Sequence, residues 1–347
     1  MPVVFVRTAA AVVLIWSASA GLAGPVAAQT VAEFYKDKTI TAIVPFGAGG
    51  GYAIYTQVMA RHLPRFIPGQ PSIVPQFMPG AGGIVASNHI ANLARRDGTV
   101  MATVSDSVVL ASVIDADKVK YNVNDFIWIG AIERVNNVLA VRADTGVKRF
   151  EDMNATEIVH GASGPGSPTS LLPSLLRWLV PSIKLKTVEG YPGISQMFVA
   201  LESREVSAMT VSWTIFKSLK KEWFEQGTLL PIVQFGSTKE KDLAAVPLAV
   251  ELAVTPEQKA VARFMASNVD VGRSFILPPQ VPADRVEALR AAFDKMVIDP
   301  LFMAELDKAG FQLSPASGRE VQDAVAQASK IDHELADVIR KVIAKAQ

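Results

Sequence analysis

Cysteine is absent from all 347 residues, which excludes a disulfide framework, a thiolate nucleophile, a zinc–thiolate site and an iron–sulfur cluster. Net charge is nearly absent too. The chain has 34 basic and 33 acidic residues, a formal +1, and that balance argues against nucleic acid or an anionic membrane surface as a partner. Histidine is scarce: His62, His89, His160 and His333 are scattered along the chain, and none pairs at metal-ligand spacing. Neither a metal site nor a cofactor is expected. Apolar runs of the ~20 residues that span a bilayer are missing, as are low-complexity linkers and solenoid periods.

What the chain does have begins with a leader. One cation, Arg7, precedes an apolar stretch from Ala9 to Ile15, and small residues follow up to Val26-Ala27-Ala28 before Gln29. This pattern predicts a secretory signal peptide over 1–28, cut after Ala28, with Ala20 as the second candidate. Its apolar core is too short for a membrane anchor. Removing 1–28 takes away only Arg7 among charged residues and leaves 319 residues with 33 charges of each sign. That length exceeds what one hydrophobic core usually holds. Two lobes are therefore expected, one from 29–133 plus 236–347 and the other from 134–235.

The interior repeats one unit, a short β-rich run, a glycine loop and a helix. Strand 39–44 leads through Val44-Pro45-Phe46-Gly47-Ala48-Gly49-Gly50-Gly51-Tyr52-Ala53 to a helix over 54–66. Strand 72–77 leads through Met78-Pro79-Gly80-Ala81-Gly82-Gly83 to a helix over 84–94. A third strand, 100–104, ends at Ser105-Asp106-Ser107. In the second half, 158–160 runs into Gly161-Ala162-Ser163-Gly164-Pro165-Gly166-Ser167 and a helix over 169–179. Strand 185–188 runs into Glu189-Gly190-Tyr191-Pro192-Gly193 and a helix over 194–203. Further strands are expected at 126–131, 138–141, 209–213, 229–235 and 274–277. Helices should follow at 283–298 and 300–308, with a terminal helix over 318–346. Such alternation implies an α/β fold with mainly parallel sheets, helices on both faces and ligands at the carboxyl ends of strands.

Glycine lets peptide N–H groups approach a ligand, and a helix N-terminus adds about half a positive charge. The natural guest of such loops is an anion. The alternative is a tight turn that binds nothing. Residues 44–60, 76–94, 160–176 and 187–203 contain no Lys or Arg, so an anion held there must rely on amides, helix termini and the hydroxyls of Ser163, Ser167 and Thr169. That environment suits a small carboxylate better than a polyphosphate. A phosphate loop would also carry the Gly-x-x-x-x-Gly-Lys lysine, and a dinucleotide site would show an acid about 20 residues on.

Catalytic patterns are weak. Gly161-Ala162-Ser163-Gly164-Pro165 misses the Gly-x-Ser-x-Gly elbow by one position, which keeps a secreted hydrolase using Ser163 as an alternative. Ser105 and Asp106 could face a cleft or cap a turn. Tyr52, Tyr55, Phe77, Tyr191 and Trp213 could line an apolar pocket or simply pack in the core.

Taken together, Ile43-Val44-Pro45-Phe46 with Gly49-Gly50-Gly51, Pro79-Gly80-Ala81-Gly82-Gly83, Asp97-Gly98-Thr99, Tyr121-Asn122-Val123-Asn124-Asp125-Phe126 and Ala162-Ser163-Gly164 resemble the extracytoplasmic substrate-binding proteins of tripartite tricarboxylate transporters, also called the Bug family. The resemblance covers nearly all of the chain after the leader. It implies a type II periplasmic-binding-protein-like fold, two Rossmann-like lobes that close by a hinge on a small organic carboxylate. It also implies no catalysis, a periplasmic location, a monomer, and membrane permease subunits or a sensor as partner. Carried over by position, Phe46, Gly47, Ala48, Gly49, Gly50, Gly51 and Tyr52 with Gly80, Ala81, Gly82 and Gly83 would hold the carboxylate through amides and bridging waters. Ser163, Gly164, Ser167, Gly190, Tyr191 and Gly193 would face them, with Ser105, Asp106 and Trp213 completing the site. One departure stands out: many relatives have Asp where this chain has Ala53, so its ligand or its pocket should differ.

Overall fold

The structure, a computed structural model, describes Met1 and residues 29–114, 118–267 and 271–344. The expected leader, apart from Met1, lies outside the described residues. Among the described residues, eleven strands form two sheets. The first strands are β1 (Thr39–Val44), β2 (Ser72–Phe77), β3 (Val100–Thr103) and β4 (Ile127–Ala131). Next come β5 (Asn137–Arg142), β6 (Ile158–Gly161), β7 (Leu185–Val188), β8 (Ala208–Ser212) and β9 (Leu229–Gln234). The chain finishes with β10 (Ser274–Leu277) and β11 (Ala316–Ser317). One sheet has the order β11-β4-β10-β3-β1-β2 and the other β7-β6-β8-β5-β9.

The sheets are mixed rather than mainly parallel. β1 runs parallel to β2 and β3, whereas β10 is antiparallel to β3 and β4. In the second sheet β6 is parallel to β7 and β8, whereas β5 is antiparallel to β8 and β9. The cause is topological. The chain crosses between sheets through residues 132–136 and returns through 235–273, and the strand that follows each crossing, β5 or β10, enters its sheet from the opposite end. The parallel halves carry the glycine loops.

β1 and β5 are central and nearly dry, with Ile40, Ala42, Val44 and Val138 to Val141 fully buried, as expected of strands covered on both faces. Helix Gly51–His62 packs Tyr55, Val58 and Met59 against the first sheet, in an apolar cluster that also takes in Val138, Val211, Ile215 and Phe216 from the second. The two lobes thus share buried contact. Two helices beyond residue 236, Pro256–Ser267 and His333–Ala344, put Val261, Met265, Ile339 and Val342 into the core beside the second sheet.

The terminal helix expected over 318–346 is two helices, Gly318–Ala328 and His333–Ala344. Asp332 starts the second by accepting from Leu335 N at 2.7 Å, an N-cap arrangement that stops a helix from running through.

Candidate functional site

The loop after β1 ends in Gly50, whose position as N-cap of helix Gly51–His62 leaves the first-turn amides without a side-chain partner. A Cβ on Gly51 would stand 2.6 Å from Ile215 Cδ1 and 3.2 Å from Arg273 Nη2, so those side chains would have to shift to admit one. The loop after β2 takes positive φ from Gly80 to Gly83, with Gly82 at +64°. A Cβ on Gly82 would lie 2.2 Å from Ser167 N across the cleft, so the backbones of the two lobes touch at that point. Elsewhere Gly47 N donates to Pro192 O at 3.1 Å, Ser195 Oγ to Ala48 O at 3.2 Å and Ser107 Oγ to Gly166 O at 2.6 Å. The lobes are closed on each other.

Between them lies a cavity of about 520 Å³, counting its open mouth. Phe46, Gly47, Gly50, Gly51, Tyr52, Asp106 and Arg273 line it from the first sheet's side, and Asn137, Ser163, Pro168, Thr169, Gly193, Ile194, Thr210, Val211, Ser212 and Ile215 from the second's. Its base is where both crossings pass: Arg273 N donates to Glu133 O at 2.9 Å, and Ile132 N to Arg273 O at 3.1 Å.

Two charged groups face this cavity. The Arg273 side chain is 6% exposed and stacks on the Tyr52 ring, Cζ 4.1 Å from its centroid. Nη2 reaches Ser212 Oγ at 3.3 Å, while Nε stands 3.6 Å from Glu133 Oε2. Burial alone would pull the guanidinium pKa down, but Tyr52, Glu133 and Asp106 outweigh it and raise the value. Arg273 stays charged. Asp106 accepts from Tyr52 Oη at 3.1 Å and from Asn137 Nδ2 at 3.0 Å, and its own N–H donates to Tyr52 Oη at 2.9 Å. Burial raises the Asp106 pKa, and Arg273 with these hydrogen bonds offsets part of the rise. Glu133, buried behind Arg273, is raised for the same first reason.

Of the residues singled out in the sequence, Phe46, Gly47, Gly50, Gly51, Tyr52, Asp106, Ser163 and Gly193 line the cavity. Ala48 and Gly49 sit at the inter-lobe rim against Ser195. Gly82 and Gly164 meet across the cleft, where a Cβ on Gly164 would be 3.6 Å from Gly82 N. Gly80, Ala81 and Gly83 shape the turn below them, and Gly83 packs on Ser105 and Phe46. Ser105 is buried and bonds Ser107 Oγ at 2.9 Å. Ser167 turns inward to Gly164 O at 2.7 Å and Thr169 Oγ1 at 2.7 Å. A Cβ on Gly190 would meet nothing within 4 Å, and Tyr191 donates outward to Glu205 at 2.6 Å. Trp213 does not reach the cavity; its Nε1 donates to Asp242 at 2.9 Å and its ring packs on Phe216 and Phe224.

Among the described residues, no His, Asp or Glu side chain is hydrogen-bonded to Ser163 Oγ. Ser163 Oγ pairs with Thr169 Oγ1 at 3.0 Å. His160, on β6, bonds Thr210 Oγ1 at 2.9 Å, and burial with nearby Arg177 lowers its pKa to about 3. Among the described residues no group of three or more His, Cys, Asp or Glu could hold a metal ion.

Sequence reasoning missed Arg273, Asn137, Ser212 and Ile215. Asn137 and Ser212 had a usable signal, since each sits at a strand end on the cleft side. Arg273 had none, lying more than 200 residues from the loops it serves.

The chain is similar to the protein BugT of Bordetella pertussis, 25% identical over 251 residues, 70% of this chain and 73% of that protein. In fold it is similar to the periplasmic binding protein BugD, with a TM-score of 0.71 and 18% identity over 89% of this chain and 98% of that one. MatC from Rhodopseudomonas palustris, solved with bound malate, matches with a TM-score of 0.65 and 19% identity over 88% and 99% of the two chains. The family model described as tripartite tricarboxylate transporter family receptor matches residues 56–340, most of the chain and both lobes. This protein belongs to that family of receptors, and it is a solute-binding protein rather than an enzyme.

Proposed function

We propose that this protein captures a small organic carboxylate between its lobes and hands it to the membrane permease subunits of a tripartite transporter, working as a periplasmic monomer. Lobe boundaries follow the two crossings, 29–133 plus 236–347 against 134–235, with helices Pro256–Ser267 and His333–Ala344 bracing the second lobe. The observation that carries this reading is the convergence of the open N-terminus of helix Gly51–His62 with the buried Arg273 guanidinium on one cavity. Both favour an anion. The bound malate of the similar R. palustris protein is a carboxylate of the same class.

In the site, first-lobe amides at Gly50 and Gly51 hold the carboxylate, and Ser163 and Thr169 answer from the second lobe. Closure follows because Gly47, Ala48 and Ser107 find their second-lobe partners only when the lobes meet. Isothermal titration of the leaderless protein against mono-, di- and tricarboxylic and aromatic acids should give saturable one-to-one binding by at least one of them. No binding across that panel would refute the proposal.

A further inference from the structure

We propose that Arg273 and Asp106 read opposite ends of the ligand, so that the cavity selects a small carboxylic acid carrying a hydrogen-bond donor, hydroxyl or ammonium, over the plain acid of the same skeleton. This rests on the carboxylate reading above and extends it to the rest of the ligand.

Arg273 and Asp106 are the charged side chains of the cavity wall. Arg273 is held in place but not used up. Its contact to Glu133 is 3.6 Å, beyond hydrogen-bond distance, and Nε has no hydrogen-bond partner. Stacking on Tyr52 at 4.1 Å fixes its plane, and Nη2 lies where a Cβ on Gly51 would come within 3.2 Å. The guanidinium therefore stands beside the first turn of helix Gly51–His62, and cation and helix terminus converge on the same anion.

Asp106 faces the same cavity and is 4% exposed. Tyr52 and Asn137 give it one donor per oxygen and the Ser107 N–H supports it as well, which leaves about one of the four acceptor sites of an ionised carboxylate. Asp106 belongs to the cavity wall, so a ligand filling the cavity can reach the remaining capacity. A ligand donor placed there completes the shell of a buried charge. A plain acid leaves it dry, and sites built this way reject the analogue lacking the donor far more strongly than a methylene difference would. Tyr52, touching both charged groups, sets the separation that the ligand must span.

The test uses the leaderless protein and matched acids: propionate, lactate and alanine, then succinate, malate and aspartate, by isothermal titration. Within at least one series the donor-bearing acids should bind more than about tenfold tighter than the plain acid, and the hydroxy- and amino-acids tell which donor is preferred. Asp106→Asn should shrink that ratio below about threefold while the plain acid keeps its affinity. Should the asparagine variant fail to fold, Asp106→Ser serves the same purpose. Arg273→Lys should weaken every acid about tenfold without changing the ratio, because a point charge cannot keep the planar, stacked geometry. Equal binding within both series by the unaltered protein, or a ratio that survives removal of the Asp106 charge, would overturn the inference while leaving carboxylate capture standing. Failure of every acid to bind would overturn both.

Discussion

Gly82→Ala separates closure from folding, and its effect can be worked from two features. The first is backbone strain: Gly82 has φ +64° and ψ 20°, a left-handed conformation that an alanine adopts at about 1–2 kcal/mol. The second is the new methyl, which would stand 2.2 Å from Ser167 N and 2.6 Å from Gly166 C. Both atoms are backbone in the opposite lobe, so nothing flexible can yield and the lobes must part. Parting breaks the bonds Gly47–Pro192, Ser195–Ala48 and Ser107–Gly166. At ~0.5–1.5 kcal/mol each they total roughly 1.5–4.5 kcal/mol, which at about 1.4 kcal/mol per decade is a ten- to thousandfold loss of affinity.

Gly146→Ala is the matched control. Gly146 has φ +84°, and a Cβ there meets nothing within 4 Å. It should lose about 1 kcal/mol of stability with unchanged affinity. Calorimetric titration with the tightest acid of the panel measures affinity, urea melts measure stability, and small-angle scattering of the liganded protein reports whether the lobes close. Affinity of Gly82→Ala within threefold of the unaltered protein would refute the reasoning, since the lobes would then not need this contact to hold a ligand.

Three further outcomes are expected. His160 is buried with its pKa lowered to about 3, so as pH falls below the unfolded value of about 6.5 the unfolded chain takes up a proton that the folded one refuses, and stability is lost, by about 2 kcal/mol at pH 5; urea melts at pH 7 and 5 should show this loss disappearing in His160→Gln. Arg273→Met should lower stability by about 3–5 kcal/mol because it strands the buried Glu133, and Arg273→Met with Glu133→Gln should recover most of it; a double variant no more stable than the single would count against a shared charge pair. Ligand affinity should change less than about threefold between 10 and 500 mM salt, because salt screens buried charges weakly; a much steeper dependence in titrations would move the anion-binding charge to the surface.

The parallel half of each sheet was legible in the sequence because its signal is local. Thr39–Val44 is a β-rich run stopped by Pro45 and glycines, and the same punctuation recurs after Phe77, Gly161 and Val188. The antiparallel half was not, because nothing near Ser274–Leu277 records that it will insert between β3 and β4, some 150 residues earlier. The helix break at 329–332 was hidden for another reason: Ser329-Lys330-Ile331-Asp332 contains neither Gly nor Pro. Val321 and Val325 on one side of it and Ile339 and Val342 on the other keep a helical spacing that reads as continuous.

The missing lysines and arginines of the glycine loops acquire a physical sense once Arg273 and Asp106 are placed. A charge carried on a closing loop would have to shed its water each time the lobes meet, a penalty of several kcal/mol per ion that a partner repays in full only with excellent geometry. Here Arg273 is carried on the return crossing at the base of the cleft, where 132–136 and 271–273 run side by side, and not on a glycine loop. The rim contacts Gly47–Pro192, Ser195–Ala48 and Ser107–Gly166 join amides, carbonyls and hydroxyls, which exchange water for one another at small net change. Ala53 fits the same division. It is fully buried in the first turn of helix Gly51–His62, and an acid there would put charge on the loop side of the ligand. This chain places its carboxylate on the β3 loop instead, as Asp106, tied to Tyr52 and Asn137. Closure is then set by how well a ligand bridges fixed charges below to neutral rims above, and a ligand that reaches only one of the two leaves the lobes with little reason to meet.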